Sequence, residues 1–386
     1  MIPYADFLYF SILIALAFLA VLLAAAGLLS WRAVVTLNAA MLVIQYAGRT
    51  DARMLEIWVI AAYGLYEWCL ASLFLRLRRS GNSRRIFRTF VTLALLPLIG
   101  VKLAAASRSS PGFLAFTGIS YVTFRSVDVI ICIQDKLIPS IAPARYFTFL
   151  LFFPTVSAGP IDRYMRFAKD ASHRRTRSEF FHDLDAAVHF VFRGLLYKFI
   201  LAALIKQYWL DRVSEGAHVA TVASYMYAYT FYLFFDFAGY SAFAIGVSYL
   251  LGIHTPPNFD HPFLAGDIAE FWNRWHVSLS TWFRDHVYMR FVMAAVRGRW
   301  FASRLVTSCA AFYVTFMLMG IWHGLSLRYV IYGLYHGTLL SGHAIFVERR
   351  KTRQTTPPTR FWKIAGVLIT FHCVAFGLLI FSGRLG

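Results

Sequence analysis

The chain has 386 residues, of which 59% are hydrophobic, 18% aromatic and only 15% charged. A soluble domain carries ~25% charged and ~45–50% apolar residues, so this chain holds more apolar surface than one water-bounded globule can hide, and its solvent must be lipid. The formal charge of +19 falls in short clusters between apolar runs, which marks loops against anionic headgroups and argues against a nucleic-acid partner.

A crossing needs ~20 apolar residues at 1.5 Å each. Runs that meet or approach this are 7–29, 33–47, 55–75, 88–106, 113–133, 143–158, 186–206, 219–251, 305–322, 326–347 and 364–382. The first lacks a basic flank and is too long for the core of a signal peptide, so it reads as a retained helix. The run 219–251 exceeds one perpendicular span and is expected to be tilted, broken or paired. The fold class is therefore an all-α integral membrane bundle of about ten to twelve transmembrane helices. We read 1–386 as one membrane domain, with N-terminal helices over 1–140 and a catalytic core over 141–386. The basic loop Arg76–Arg88 is expected on the cytoplasmic side, as are Arg163–Arg177 and Arg349–Lys363, which puts the N-terminus outside. Cys69, Cys132, Cys309 and Cys373 lie apart without metal spacing and read as packing residues.

One segment, His254 to Arg304, departs from this pattern. After a turn-rich start, Asp267 and Glu270 resemble a capping box. Trp272, Trp275, His276, Leu279, Trp282, Phe283 and His286 then recur at helical spacing, predicting one aromatic-faced helix at an interface or dipping into the protein.

Four constellations carry possible chemistry. His323, in Met319–Gly324, falls in a Gly-flanked break between two apolar runs, where an ionisable side chain is a functional candidate by default. An unperturbed pKa of ~6.5 suits imidazole to general-base work; the plainer alternative is a loop histidine at the headgroups. Asn273 and His276 stand three apart and are expected to share a helix face, where an amide and an imidazole can hold a carbonyl; packing and capping explain them equally. Asp162 and Arg163 follow Gly159–Pro160 and form either a surface ion pair of little energy or the wall of a cytoplasmic mouth. Asp236 stands in an apolar run and requires a partner such as Arg193, more often structural than catalytic. Serine-elbow, phosphate-loop, dinucleotide and HExxH motifs are absent.

Together these stretches resemble the membrane-bound O-acyltransferase (MBOAT) family, most closely its branch that D-alanylates teichoic acids in the dlt system. The resemblance rests on FFPTVSAGPIDRYMRF (152–167), FDFAGYSAFAIGVSYLLGI (235–253), FWNRWHVSLSTWFRDHVYMRFV (271–292), MGIWHGLSLRYVIYGLYHG (319–337) and FHCVAFGLLIFSG (371–383), covering roughly 145–383. It implies a helical bundle around a central tunnel, with His323 as catalytic histidine and His276 as the second catalytic position. Asn273, Arg274, Trp322, Asp162 and Arg163 would contact substrate. No cofactor is bound on this reading. The donor is a D-alanyl thioester on the phosphopantetheine of a cytoplasmic carrier protein, and an extracytoplasmic dlt-type protein assists delivery to a cell-envelope polymer at the bacterial cytoplasmic membrane. The alternative within the family is a polysaccharide O-acetyltransferase. A transporter with Asp236 and His323 as a relay is less favoured, because no repeated halves are visible.

Overall fold

The computed structural model describes residues 3–385 except 5, 47–50, 82, 108–115, 217 and 352–359. Part of the Arg349–Lys363 stretch, and the start of the run 113–133, lie outside the described residues. In chain order the helices are α1 (Phe7–Ala25), α2 (Trp31–Tyr46), α3 (Asp51–Ser80), α4 (Arg84–Ala106), α5 (Ile119–Gln134), α6 (Pro143–Leu150), α7 (Tyr164–Ser172), α8 (Arg177–Gly194), α9 (Ala203–Tyr208), α10 (Val219–Leu250), α11 (Ile268–Arg274), α12 (Val277–Phe283), α13 (Met289–Gly298), α14 (Arg304–His323), α15 (Leu327–Lys351) and α16 (Arg360–Ser382). Leu195–Ala202 and Arg284–Tyr288 are π-helical, and the described residues contain an isolated bridge but no strand.

Among the described residues, eight helices are long and apolar enough to cross a membrane. They coincide with the expected runs except at 33–47, 113–133 and 143–158, which have no counterpart among them. Helices α2 and α5 have only 16 residues each, and α5 carries Arg125 and Asp128 fully buried. The run 143–158 is helical only to Leu150. The run 186–206 belongs to a longer candidate span, Arg177–Arg212. Helix α10 is a single unbroken element of 32 residues, ~48 Å long.

Packing divides the chain into two units, Met1–Gly194 with Tyr240–Pro256, and Leu195–Gly239 with Pro257–Gly386. In the first unit the backbone from Leu151 to Arg163 runs without helix. Pro154 and Pro160 lack the N–H a helix would use there. Its polar groups are taken up by buried side chains. Arg125 donates to the carbonyls of Phe149 at 3.0 Å, Leu150 at 3.2 Å and Thr155 at 3.1 Å, and also to the Thr155 hydroxyl. Asn38 donates to the Leu151 carbonyl at 3.2 Å and accepts from the Phe153 N–H at 2.8 Å. An apolar interior tolerates irregular backbone only when it is satisfied in this way.

The second unit is built on an aromatic cluster, with Phe234 against Phe263 at 4.9 Å and Phe271 stacked on Trp275 at 5.5 Å. Helices α14 and α15 form its closest pair. A Cβ at Gly320 would strike the Tyr329 carbonyl oxygen, and one at Gly333 would strike that of Phe316, so the small residues let the two backbones touch.

Candidate active site

His323 is the last residue of α14, and the chain turns through Gly324 before α15 starts at Leu327. The break expected around this histidine is therefore present. Its ring is framed by aromatics: Trp322 at 4.6 Å, Tyr329 at 5.9 Å, Tyr332 at 6.3 Å and Phe381 at 4.9 Å. The frame is held by Arg328, which donates to the Ser382 carbonyl at 3.1 Å and to the Tyr329 hydroxyl at 3.2 Å, tying the start of α15 to the end of α16. Both His323 and Trp322 are half-buried, so the imidazole is walled by apolar rings yet still reachable.

His276 is placed by a break in the chain that the periodicity did not foretell. The residues from the Asp267 cap through His286 were expected to form one helix, but α11 stops at Arg274, Trp275 is extended, and His276 adopts φ 44°, ψ 50° before α12 begins. The reason is pairing with the preceding loop. The Asp260 N–H donates to the Arg274 carbonyl at 3.0 Å, and the Val277 N–H donates to the Asn258 carbonyl at 2.9 Å. The Asn258 side chain also accepts from the Ser278 hydroxyl at 2.6 Å. At the other end α11 starts as expected: Asp267 accepts from the N–H groups of Ala269 at 2.9 Å and Glu270 at 2.8 Å, while Glu270 reaches back to the Gly266 N–H at 2.6 Å.

The break separates Asn273 from His276, which therefore do not share the expected helix face. Asn273 is exposed, whereas His276 is 5% exposed, against Phe237 at 4.8 Å, and its Nδ1 has no hydrogen-bond partner among the described residues. Burial pushes its pKa down to about 3, so the ring is neutral across the physiological range. Arg274 donates to Glu270 at 2.6 Å, four residues back. His323, His276, Trp322, Asn273 and Arg274 all belong to the second unit.

Asp162 and Arg163 belong to the first unit, and they are not the surface pair that their adjacency suggested. Asp162 is 2% exposed and holds Arg166, while Arg163 reaches Asp128 at 2.9 Å. Burial raises the Asp162 carboxyl above its usual range, against the pull of Arg166 and Arg125. Much of the basic 163–177 stretch is likewise engaged internally: Arg166 also meets Asp170 at 2.7 Å, and Arg175 meets Asp183 at 3.0 Å. Lys169 and Arg174 remain exposed.

Two features escaped sequence reasoning. His254 lies within 2.9 Å of Asp183 and 3.6 Å of Asp170, and its N–H donates to Asp170 at 2.8 Å. The hydrogen bonds with Asp170 and then Asp183 push its pKa up to about 9. Residues 84 and 71 positions away leave no local signal. The partner of Asp236 is Lys198 at 2.5 Å, not Arg193, which instead stacks over Phe190 at 5.3 Å within the first unit.

The sequence profile of the membrane-bound O-acyltransferase family matches residues 131–382. The chain is 42% identical over 334 residues to a teichoic acid D-alanyltransferase of Bacillus subtilis, covering 84% of this chain and 85% of that protein. It is 38% identical over 352 residues to one of Streptococcus thermophilus, covering 87% and 85%. A probable alginate O-acetylase of Pseudomonas aeruginosa shares 32% identity over 270 residues, 69% of this chain and 48% of that one. Matches of the first kind extend well into the first 140 residues, beyond the 145–383 visible from motifs alone.

Proposed function

Because the chain belongs to the membrane-bound O-acyltransferase family and is a multi-pass membrane acyltransferase, we propose that it moves a D-alanyl group from a carrier-protein phosphopantetheine thioester to a hydroxyl of a teichoic-acid-like envelope polymer at the bacterial cytoplasmic membrane. Support for the acyl group comes from 38% to 42% identity with D-alanyltransferases over most of both chains, against 32% over about half of an alginate O-acetylase. The dlt-type carrier and extracytoplasmic protein are the partners this reading requires, and exposed Lys169 and Arg174 offer an acidic carrier its first contacts.

The observation that carries the mechanism is His323, half-buried in an aromatic frame at a helix end, with a neutral His276 in the same unit. The acceptor hydroxyl attacks the thioester carbonyl carbon while His323 takes its proton. The new C–O bond leaves an oxyanion, which a neutral His276 stabilises by donating its N–H. Collapse breaks the C–S bond, and His323 returns the proton to the departing thiolate. Asn273, exposed after the break, serves the donor's approach and not the oxyanion. A general base is worth ~10²–10⁴ in rate.

Replacing His323 by Asn is expected to lower D-alanyl ester formation by about that factor, measured with purified protein and loaded carrier, while expression and carrier binding persist. Near-normal esterification by this variant would refute the role. Offering acetyl and D-alanyl donors side by side separates this reading from acetyl transfer.

A further inference from the structure

His336, in the stretch 319–337, takes no part in the chemistry above, yet it stands where four helices of the second unit meet. It is 1% exposed. Its ring lies 5.0 Å from Trp272 of α11, 6.1 Å from Phe316 of α14 and, on its own helix α15, 4.6 Å from Tyr332 and 5.3 Å from Tyr335. Neither ring nitrogen has a hydrogen-bond partner among the described residues. A buried polar atom left unpaired lowers stability, so hydrogen bonding does not account for an imidazole here. Its shape does.

The fourth helix, α16, meets the ring at Gly377. A Cβ there would stand 2.5 Å from Nε2 and 3.1 Å from Cε1, and the aromatic neighbours leave the imidazole no room to yield. The ring tip therefore occupies a notch that the glycine provides. One turn along both helices, ~6 Å away, comes the wall of the His323 frame. There Tyr332 and Phe381 meet at 5.3 Å, and the His323 ring lies 6.3 Å from the first and 4.9 Å from the second. The helices are pinned on either side of this wall. Tyr335 Oη donates to the Cys373 carbonyl at 2.9 Å, and Arg328 donates to the Ser382 carbonyl at 3.1 Å. Between the pins, what fills the notch sets the depth to which α16 settles on α15.

We propose that His336 is a positioning residue for His323: seated in the Gly377 notch, it fixes the separation of α15 and α16 and so the place of the Tyr332–Phe381 wall against the His323 imidazole. A longer ring at 336 drives the helices apart, and a shorter side chain lets them close. The inference rests on the proposed role of His323 as proton acceptor, and it stands whatever acyl group is transferred.

The test uses the full chain in detergent and two readouts. One is kcat and KM with loaded carrier, per folded molecule. The other is the rate at which diethyl pyrocarbonate labels His323, read by peptide mass spectrometry against exposed His189. Gly377→Ala and His336→Phe press on the same contact from opposite sides. Each is expected to lower kcat by ~10²-fold, the cost of a small misplacement of a reacting group, with KM unchanged and His323 labelling altered relative to His189. Adding His336→Asn, which withdraws the ring tip, to Gly377→Ala should restore most of the lost turnover. Gly342→Ala, the same addition on the open side of α15, should change neither readout. Unchanged kcat and labelling in both single variants, a lower melting temperature with kcat per folded molecule intact, or no restoration in the double variant would each overturn the proposal. Should Gly377→Ala or His336→Phe fail to fold, His336→Asn alone, which adds no atom to the notch, carries the same two readouts. If wild type takes nothing from the loaded carrier, or His323→Asn keeps full activity, the proposed function fails, and His323 labelling still decides the positioning.

Discussion

The first unit secures its non-helical backbone with buried polar side chains, whereas the second secures its own with backbone pairing among aromatic rings. In the stretch after α6, Arg125 and Asn38 reach in from other helices to satisfy carbonyls that no helix serves. At the α11–α12 break, main-chain groups of the 258–260 loop do the satisfying, and Phe259 and Trp275 pack at 5.1 Å over the join. The first solution depends on a few irreplaceable groups. The second spreads the work over many contacts, and it leaves His276 in a left-handed conformation, strain of the kind found at functional sites.

That contrast can be broken most severely at Arg125. Arg125→Ala strips the donor from three buried carbonyls and a hydroxyl, each worth ~1–3 kcal/mol when unmet, against a total stability of ~5–15 kcal/mol. Loss of the folded protein is expected, seen as aggregation in detergent or a collapsed melting temperature. Gly320→Ala comes next: the added methyl meets the Tyr329 carbonyl, α14 and α15 must separate, and ~1–3 kcal/mol of stability should go, with activity falling further because His323 lies three residues on.

Asn258→Ala should cost less, ~1 kcal/mol, since the Val277–Asn258 backbone bond survives. Its expected mark is a drop in turnover larger than the drop in stability, because His276 loses its support. Equal wild-type turnover would show that the break is merely a fold feature. The smallest effect concerns His254. Its folded pKa of about 9 lies above the ordinary ~6.5. The stabilisation is therefore complete below pH ~6.5 and fades as pH rises through about 9. Hydrogen exchange at the 252–255 amides should accelerate over that window in wild type and not in His254→Gln.

The long apolar runs were legible because hydropathy alone decides them, and family membership was legible because FFPTVSAGPIDRY and MGIWHG keep their order and spacing. Spacing left the aromatic face of Trp272, Trp275, Leu279, Trp282 and Phe283 either at an interface or inside the protein, and all five are interior. The break among them was not legible, because the partners that impose it, Asn258 and Asp260, act through backbone groups that carry no residue code. Arg125 hid in an apolar run for the opposite reason: its carbonyl partners are indistinguishable in sequence from any others. Of the two readings open for Asp162 and Arg163, the surface pair is not formed: the Asp162 carboxylate holds Arg166 and the Arg163 guanidinium reaches Asp128, partners that nothing in the sequence singles out.

The π-helical stretch Leu195–Ala202 has a further consequence. A π turn holds roughly one residue more than an α turn, so the side chains that follow are out of phase with those before by ~100°. The stretch is a register shift written into backbone geometry, and Lys198, which lies within it, meets Asp236. Trimming one residue there would re-phase the wheel and swing the ammonium off its carboxylate, with every side chain name left in place.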